Sequence, residues 1–277
     1  METIGIIGVG NIGGRFARAL LEAGHRVVVR DLDAAKVEAA AAQGAEAAAT
    51  PADVAARAEL VLLCLPGSPP VEAVMEGPEG LLAHLRPGHI VVDTGTTHPD
   101  TDVHYAHLSR ERGAAFLDAP ITGRSQGFIM MVGGDEAAFA RARPVLERLS
   151  YKLVHLGAIG RGQLLKLANQ LVLAGQWAVW AEAVVFAEQA GLDPRLLRDC
   201  LEFPIGEQFL SDDFAGGGTL ALHYKDLEYA MRVAHRTGAP LPLTNAVHEA
   251  FKGAWVAGHP DWSQPGVVTH WRRLARG

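Results

Sequence analysis

Up to about Leu156, short apolar runs alternate with segments whose apolar positions recur at helical spacing. The runs Thr3–Ile7, Val27–Arg30, Leu60–Leu65, His89–Val92, Ala115–Leu117, Phe128–Val132 and Leu153–His155 predict strands. Between them a segment from about Ile12 to Ala23, and Asp33–Gln43, Thr101–Arg112 and Glu136–Leu149, predict helices. Such alternation implies a doubly wound, mainly parallel sheet. The character changes after Gly157–Gly162, a glycine-rich joint. Beyond it no strand pattern recurs. A long helical period runs from about Gln163 to Ala190 and stops at Gly191-Leu-Asp-Pro194. Helices at Pro194–Glu202, Lys225–Thr237 and Leu243–Ala257 follow. The pattern predicts an α/β domain over residues 1–157 and an all-helical domain over residues 158–277, joined by the long helix.

Composition narrows the partners. A chain of 277 residues, 49% apolar, can build two cores. The net charge of −6 is interspersed in sign, with no basic stripe, so nucleic acid is not an expected partner. Two cysteines make no disulfide framework: Cys64 sits in an apolar run as a buried strand residue, and Cys200 lacks a metal-ligand pattern. The chain starts directly on a strand, without a basic-then-apolar leader. The apolar stretch Leu171–Ala190 is broken by Gln176, Glu182, Glu188 and Gln189, as in a helix buried in protein rather than in a membrane. A cytoplasmic, soluble protein is expected. So greasy a helix exceeds what a monomer exposes, which predicts a homodimer or homotetramer formed through the helical domain. Trp177, Trp180, Trp255, Trp262 and Trp271 are expected in that core or interface.

The first chemistry-bearing motif is Gly8-Val-Gly10-Asn11-Ile12-Gly13, between the first predicted strand and helix. Its GxGxxG spacing is followed, 18 residues after Gly13, by Asp31 at the end of the second strand. Gly8 permits the tight turn, Gly10 admits a pyrophosphate, and Gly13 lets the helix approach the strand. The N–H groups of Asn11, Ile12 and their neighbours then face the phosphates. Asp31 suits the adenosine ribose hydroxyls and would repel a 2′-phosphate, and Leu32 offers no cation. Arg30 points to the opposite face of the strand. These features predict a Rossmann-type dinucleotide site and favour NAD over NADP.

The second motif follows the joint, Gly160-Arg-Gly162-Gln-Leu-Leu-Lys166-Leu-Ala-Asn169-Gln170. Lys166, Asn169 and Gln170 share one helix face, among apolar neighbours. A buried lysine with partners serves acid–base chemistry, whereas a solvated one is ordinary helix surface, and spacing alone leaves both open. The histidines show no ligand arrangement; His104 and His107 share a helix face without a third partner, so no metal is expected.

Five further blocks accompany the lysine motif. They are the glycine turn, Cys64-Leu-Pro-Gly-Ser68 with Val91-Val-Asp-Thr-Gly-Thr96, Asp118-Ala-Pro-Ile-Thr-Gly123, and His223-Tyr-Lys225-Asp226-Leu227. In this order, over nearly the whole chain, they resemble the β-hydroxyacid dehydrogenase family, which includes 3-hydroxyisobutyrate dehydrogenases and tartronate semialdehyde reductases. The resemblance implies a Rossmann domain followed by a helical domain like that of 6-phosphogluconate dehydrogenase. It implies hydride exchange between NAD and a small β-hydroxy acid or its semialdehyde. It makes Lys166 the catalytic lysine, with Asn169 and Gln170 orienting substrate and lysine. Thr122 and Gly123 would bind the substrate carboxylate; Leu65, Pro66 and Thr96 would line the nicotinamide side; Lys225 would close over the cofactor. Threonine stands at 122 where serine is usual, and keeps the hydroxyl.

One departure is the loop between Asp118 and Gly134, shorter and poorer in glycine than is usual in the family. Arg124 stands there in place of a second glycine. Its guanidinium is either solvated or faces a second substrate anion, as in sulfolactaldehyde reductases or other reductases of dianionic semialdehydes. Imine reductases usually carry another residue at the lysine position, so Lys166 argues against that chemistry. A non-catalytic dinucleotide-binding protein would not be expected to keep both Lys166 and the Thr122-Gly123 turn.

Overall fold

The computed structural model describes residues 2–124, 126–200, 206–211, 213–257 and 259–276, with Arg124 described in its backbone alone. The chain forms two compact units, Met1–Lys166 and Leu167–Gly277.

In the first unit the strands are β1 (Thr3–Ile7), β2 (Arg26–Arg30), β3 (Glu46–Ala47), β4 (Leu60–Leu63), β5 (Ile90–Asp93) and β6 (Ala115–Asp118). They alternate with helices α1 (Asn11–Glu22), α2 (Ala34–Ala41), α3 (Pro51–Arg57), α4 (Ser68–Met75), α5 (Leu81–His84) and α6 (Pro99–Arg110). The strands form one six-stranded sheet in the order β3-β2-β1-β4-β5-β6, every pair parallel. Alternate residues serve opposite faces. Ile4, Ile6, Val27, Val29, Leu60, Leu62 and Val92 pack on one side with Phe16 and Leu20 of α1. Ile7, Val28, Val61, Leu63 and Val91 pack on the other with Val54, Val71, Met75 and Tyr105. A sheet covered on both faces explains why β4 and β5 read as unbroken apolar runs rather than as alternating ones.

Two of the predicted strands do not belong to this sheet. β7 (Ile121–Arg124), β8 (Gly127–Val132) and β9 (Lys152–His155) form a second sheet, ordered β7-β8-β9, with α7 (Glu136–Leu149) between the last two. β7 runs antiparallel to β8, and β8 parallel to β9. The short loop expected after Asp118 is therefore a tight hairpin, with Thr122 opposite Ile129 and Gly123 opposite Phe128. Apolar alternation identifies Phe128–Val132 as a strand. Its partner is chosen by the hairpin and by the packing of Met130 and Val132 on Ala142, Val145 and Leu146 of α7.

The second unit is helical. It comprises most of α8 (Arg161–Gln189), then α9 (Arg195–Cys200), α10 (Gln208–Ser211), α11 (Leu220–Thr237), α12 (Pro242–Val256), a 3₁₀ turn (Gln264–Val267) and α13 (Val268–Arg276). By length and composition α8 is apolar enough to cross a membrane. Within this unit, however, Ala174, Ala178, Ala181 and Val185 form a stripe packed on Phe209, Leu220, Leu227 and Phe251. Trp177 stacks on Phe209 and Trp180 meets the same ring edge-on, so both pack in the core, one of the two places expected for them. Thr219 caps α11 through Leu222 N–H, and Gly238, at φ 71°, ends it in the left-handed conformation that glycine adopts freely.

Candidate active site

The glycine turn leaves β1 with Gly8 at φ 90°. Its three glycines answer to different neighbours. A Cβ at Gly13 would lie 1.9 Å from the Gly8 carbonyl oxygen, and one at Gly8 2.5 Å from the Cys64 oxygen. A Cβ at Gly10 would meet nothing within 4 Å. Gly8 and Gly13 are thus required by the fold, whereas Gly10 opens onto space beside the start of α1. That helix has no side-chain cap and no acidic residue in its first turn. Its amide dipoles face a site an anion can approach, the geometry a pyrophosphate needs. Asp31 accepts hydrogen bonds from the N–H groups of Val9 (2.8 Å) and Asp33 (2.9 Å), which fix its carboxylate beside the turn. Leu32 is 95% exposed.

On the other side of β1 the segments after β4 and β5 lie against each other. A Cβ at Gly95 would come within 2.3 Å of the Leu65 carbonyl oxygen, so glycine lets these two backbones meet. Leu65 and Gly95 are the neighbours in chain of Pro66 and Thr96, so this approach brings the Leu65–Pro66 and Gly95–Thr96 segments together. Leu65, Pro66 and Thr96 are the residues expected to line the nicotinamide. Cys64 is a poor nucleophile here: burial pushes its thiol up to about 12, against a smaller opposing effect of its hydrogen bond with Thr94.

The second signature is positioned by a residue whose part the motif did not reveal. Asp118, at the end of β6, is fully buried and accepts hydrogen bonds from Gly160 N–H and Gln163 N–H, both 2.8 Å. Its carboxylate thereby caps the start of α8. Burial raises its proton affinity above the ordinary carboxylate value, and the backbone hydrogen bonds counter that only in part. Close packing here also explains the glycines of the motif. A Cβ at Gly162 would lie 2.2 Å from the Met131 oxygen and 2.7 Å from Asp118 Oδ2, and one at Gly133 2.4 Å from Asp118 Oδ1. Lys166 follows on the next turn and is only 8% exposed. Thr122 and Gly123 lie four and five residues beyond Asp118, on β7, the edge strand of the second sheet. One carboxylate therefore ties the base of the Thr122–Gly123 strand to the helix that carries Lys166. Arg124 ends β7, and its side chain lies outside the described residues.

Asn169 and Gln170 follow Lys166 on α8, one turn on, and belong to the second unit. There Gln170 donates through Nε2 to Asp226 and Asn169 donates to Gln170 Oε1 at 3.3 Å. Lys225 pairs with Asp226 at 3.0 Å and lies over the Tyr229 ring at 5.1 Å. The buried Asp226 thus holds Gln170 and Lys225 together, which explains why the late Lys-Asp-Leu block matters to residues more than 50 positions earlier. Sequence reading singled out the lysine and passed over the aspartate, because an Asp beside a Lys on a helix reads as surface until its long-range partner is known. Among the described residues no group of three His, Cys, Asp or Glu is arranged to hold a metal ion.

Comparison with known proteins covers both parts of the chain. Residues 3–157 match the family profile described as the NAD binding domain of 6-phosphogluconate dehydrogenase. Residues 160–271 match the profile described as NAD-binding of NADP-dependent 3-hydroxyisobutyrate dehydrogenase. The chain is 32% identical to 2-(hydroxymethyl)glutarate dehydrogenase of Eubacterium barkeri, over 98% of this chain and 95% of that protein. It is 34% identical to 3-hydroxyisobutyrate dehydrogenase of Pseudomonas aeruginosa, over 88% of this chain and 89% of that one. Among solved structures, Mycobacterium tuberculosis 3-hydroxyisobutyrate dehydrogenase with L-serine superposes with a TM-score of 0.86 at 32% identity. That match covers 98% of this chain and 99% of the other.

Proposed function

Because the chain belongs to the β-hydroxyacid dehydrogenase family, we propose that it interconverts a small β-hydroxy acid and its semialdehyde, with NAD(H) as cofactor. The observation that carries this reading is Lys166, buried on the turn that follows the Asp118-capped start of α8. When bound, the dinucleotide supplies or takes up the hydride.

The protein's own groups do the rest. In the reducing direction the Lys166 ammonium donates an Nζ proton to the carbonyl oxygen as negative charge develops there, completing the alcohol. In the oxidising direction a neutral Lys166 amine takes up the hydroxyl proton. Thr122 Oγ1 and the Gly123 backbone N–H bind the substrate carboxylate, and Asn169 and Gln170 orient substrate and lysine. Preference for NAD over NADP follows from Asp31. Its fixed carboxylate accepts from ribose hydroxyls, would meet a 2′-phosphate at close range, and has an exposed Leu32 beside it instead of a cation.

The protein is further proposed to act as a homo-oligomer. Leu165, Val172, Val179 and Phe186 are exposed apolar residues repeating every seven positions along α8, the period of a helix-pairing seam, and a second copy of α8 is its proposed occupant. The test of the activity is NADH oxidation against a panel of small semialdehydes, with NADPH in parallel. Turnover of one or more with NADH preferred is expected. Tight NADH binding without turnover of any would overturn the proposal.

A further inference from the structure

We propose that Gln163 is the positioning residue for Lys166, and that it works against a buried aspartate pair, Asp93 and Asp102, which holds one proton around Thr97. The inference rests on the reading of Lys166 as the acid–base group, but its structural basis is independent of that reading.

Thr97 Oγ1 lies 3.0 Å from Asp93 Oδ2 and 3.0 Å from both Oδ1 and Oδ2 of Asp102. A hydroxyl has one proton to give. Were both carboxylates ionised, one would face the Thr97 oxygen with no proton between them, and both aspartates are fully buried. The count closes if one carboxyl is neutral. Asp93 is the better anion, because it accepts from Gly95 N–H at 2.9 Å and has Thr97 and Asp102 within hydrogen-bonding reach. Asp102 has Gln163 and Thr97 beside it and the negative charges of Asp93 and Asp118 against it. Asp102 then carries the proton and donates its O–H to Thr97, whose hydroxyl donates to Asp93. The surroundings agree in direction. Burial raises Asp93 to about 6 and Asp102 well above the ordinary carboxylate range, the negative charge of Asp93 and Asp118 adding to the latter. Among the described residues, Asp118 from β6 and the Cys64 thiol from the end of β4 are titratable groups that face the pair. α8 presents the uncharged Gln163, whose side chain also hydrogen bonds to Asp102.

Gln163 joins this cluster to the catalytic helix. Its Oε1 accepts from Thr97 N–H at 3.2 Å and its Nε2 donates to the Gly95 carbonyl at 3.1 Å, while its own backbone N–H donates to Asp118 at 2.8 Å. The side chain therefore grips the backbone on both sides of Thr96. Lys166 lies three residues further along the helix, a rise of about 4.5 Å. The amide fixes the segment expected beside the nicotinamide against the turn that carries the lysine. It needs an acceptor and a donor at once on separate atoms at this reach, which an amide, or a neutral carboxyl of the same length, supplies.

Two measurements on the full-length protein test this. In the infrared, the wild type at neutral pH should show the carbonyl stretch of a protonated carboxylic acid, shifted in D₂O and lost in Asp102→Asn. Absence of that band, or its survival in the variant, overturns the shared proton. In steady-state kinetics, Gln163→Leu should lower kcat at least tenfold, with KM for NADH and semialdehyde within threefold. Gln163→Glu should recover towards wild type as pH falls, because only the neutral carboxyl reproduces the donor and acceptor. A Gln163→Glu deficit independent of pH, or a Gln163→Leu variant with wild-type kcat, overturns the positioning role. If Gln163→Leu fails to fold, the pH profile of Gln163→Glu decides. Full turnover in Lys166→Ala would remove the underlying reading while leaving the infrared result intact, so the two failures are distinguishable.

Discussion

Asp118 makes a quantitative prediction, because one side chain both caps α8 and anchors the β6–β7 connection. In Asp118→Ala, Gly160 N–H and Gln163 N–H lose their acceptor inside the protein. A lost helix cap costs about 1 kcal/mol, and each buried amide left without a partner costs about 1–3 kcal/mol. Release of the carboxylate's burial penalty offsets part of this, since burial is the largest influence on Asp118 and acts against its charge. A net loss of roughly 2–4 kcal/mol follows, or about 4–16 °C in Tm for a chain of this size. Asp118→Asn keeps one acceptor oxygen and should lose roughly half as much. The pH dependence has a definite sign. The folded state binds the Asp118 proton more tightly than the unfolded state, whose ordinary value is 3.8. The wild type therefore loses stability as pH rises from that value through the raised one, and its advantage over Asp118→Asn narrows across the same window. Calorimetric melts of the three proteins over a pH series provide the assay. An Asp118→Ala protein as stable as wild type, or an advantage over Asp118→Asn that widens with pH, would refute the reasoning.

Further predictions follow from the cofactor turn and from α8. Gly10→Ala should melt within about 1 kcal/mol of wild type yet bind NADH at least tenfold more weakly, since the added methyl meets only the space a phosphate would fill. Gly13→Ala should instead lose stability by about 1–3 kcal/mol or fail to fold, because its methyl would overlap the Gly8 carbonyl. Equal melts for the two variants would contradict this division. Asp31→Ala should lower the NADH/NADPH ratio of kcat/KM by roughly 10–100-fold, the worth of a charged hydrogen bond, and an unchanged ratio would remove the ribose contact. Phe186→Glu, altering a side chain 73% exposed on the seven-residue stripe, should halve the mass seen by light scattering; a wild type that is already monomeric would defeat the oligomer proposal.

Much of the fold could be read from the chain because its signals are local. The strand, glycine turn, helix and acid from Thr3 to Asp31 announce themselves within about thirty residues, and α8 within its own length. What escaped notice was whatever depends on pairing across the fold. Phe128–Val132 has the period of a strand, but nothing in that period says whether it extends the main sheet or folds back on Ile121–Arg124. β3 is two residues long and leaves no pattern to detect. The polar groups of the site divide in the same way. Lys166, Asn169 and Gln170 lie together on one helix face. Asp93, Thr97, Asp102 and Gln163 come from separate segments, and only the meeting of β5, α6 and α8 turns them into a buried network. Asp118 stood inside a recognised motif, yet its function as the cap of a helix 42 residues later is a property of the tertiary structure.

The most direct test of the central claim is the turnover of Lys166→Ala, measured beside its NADH affinity by fluorescence titration. A fall in kcat of roughly 10²–10⁴-fold, with the dissociation constant for NADH within threefold of wild type, is the predicted result. Turnover within tenfold of wild type would contradict the assignment of Lys166 as the acid–base group.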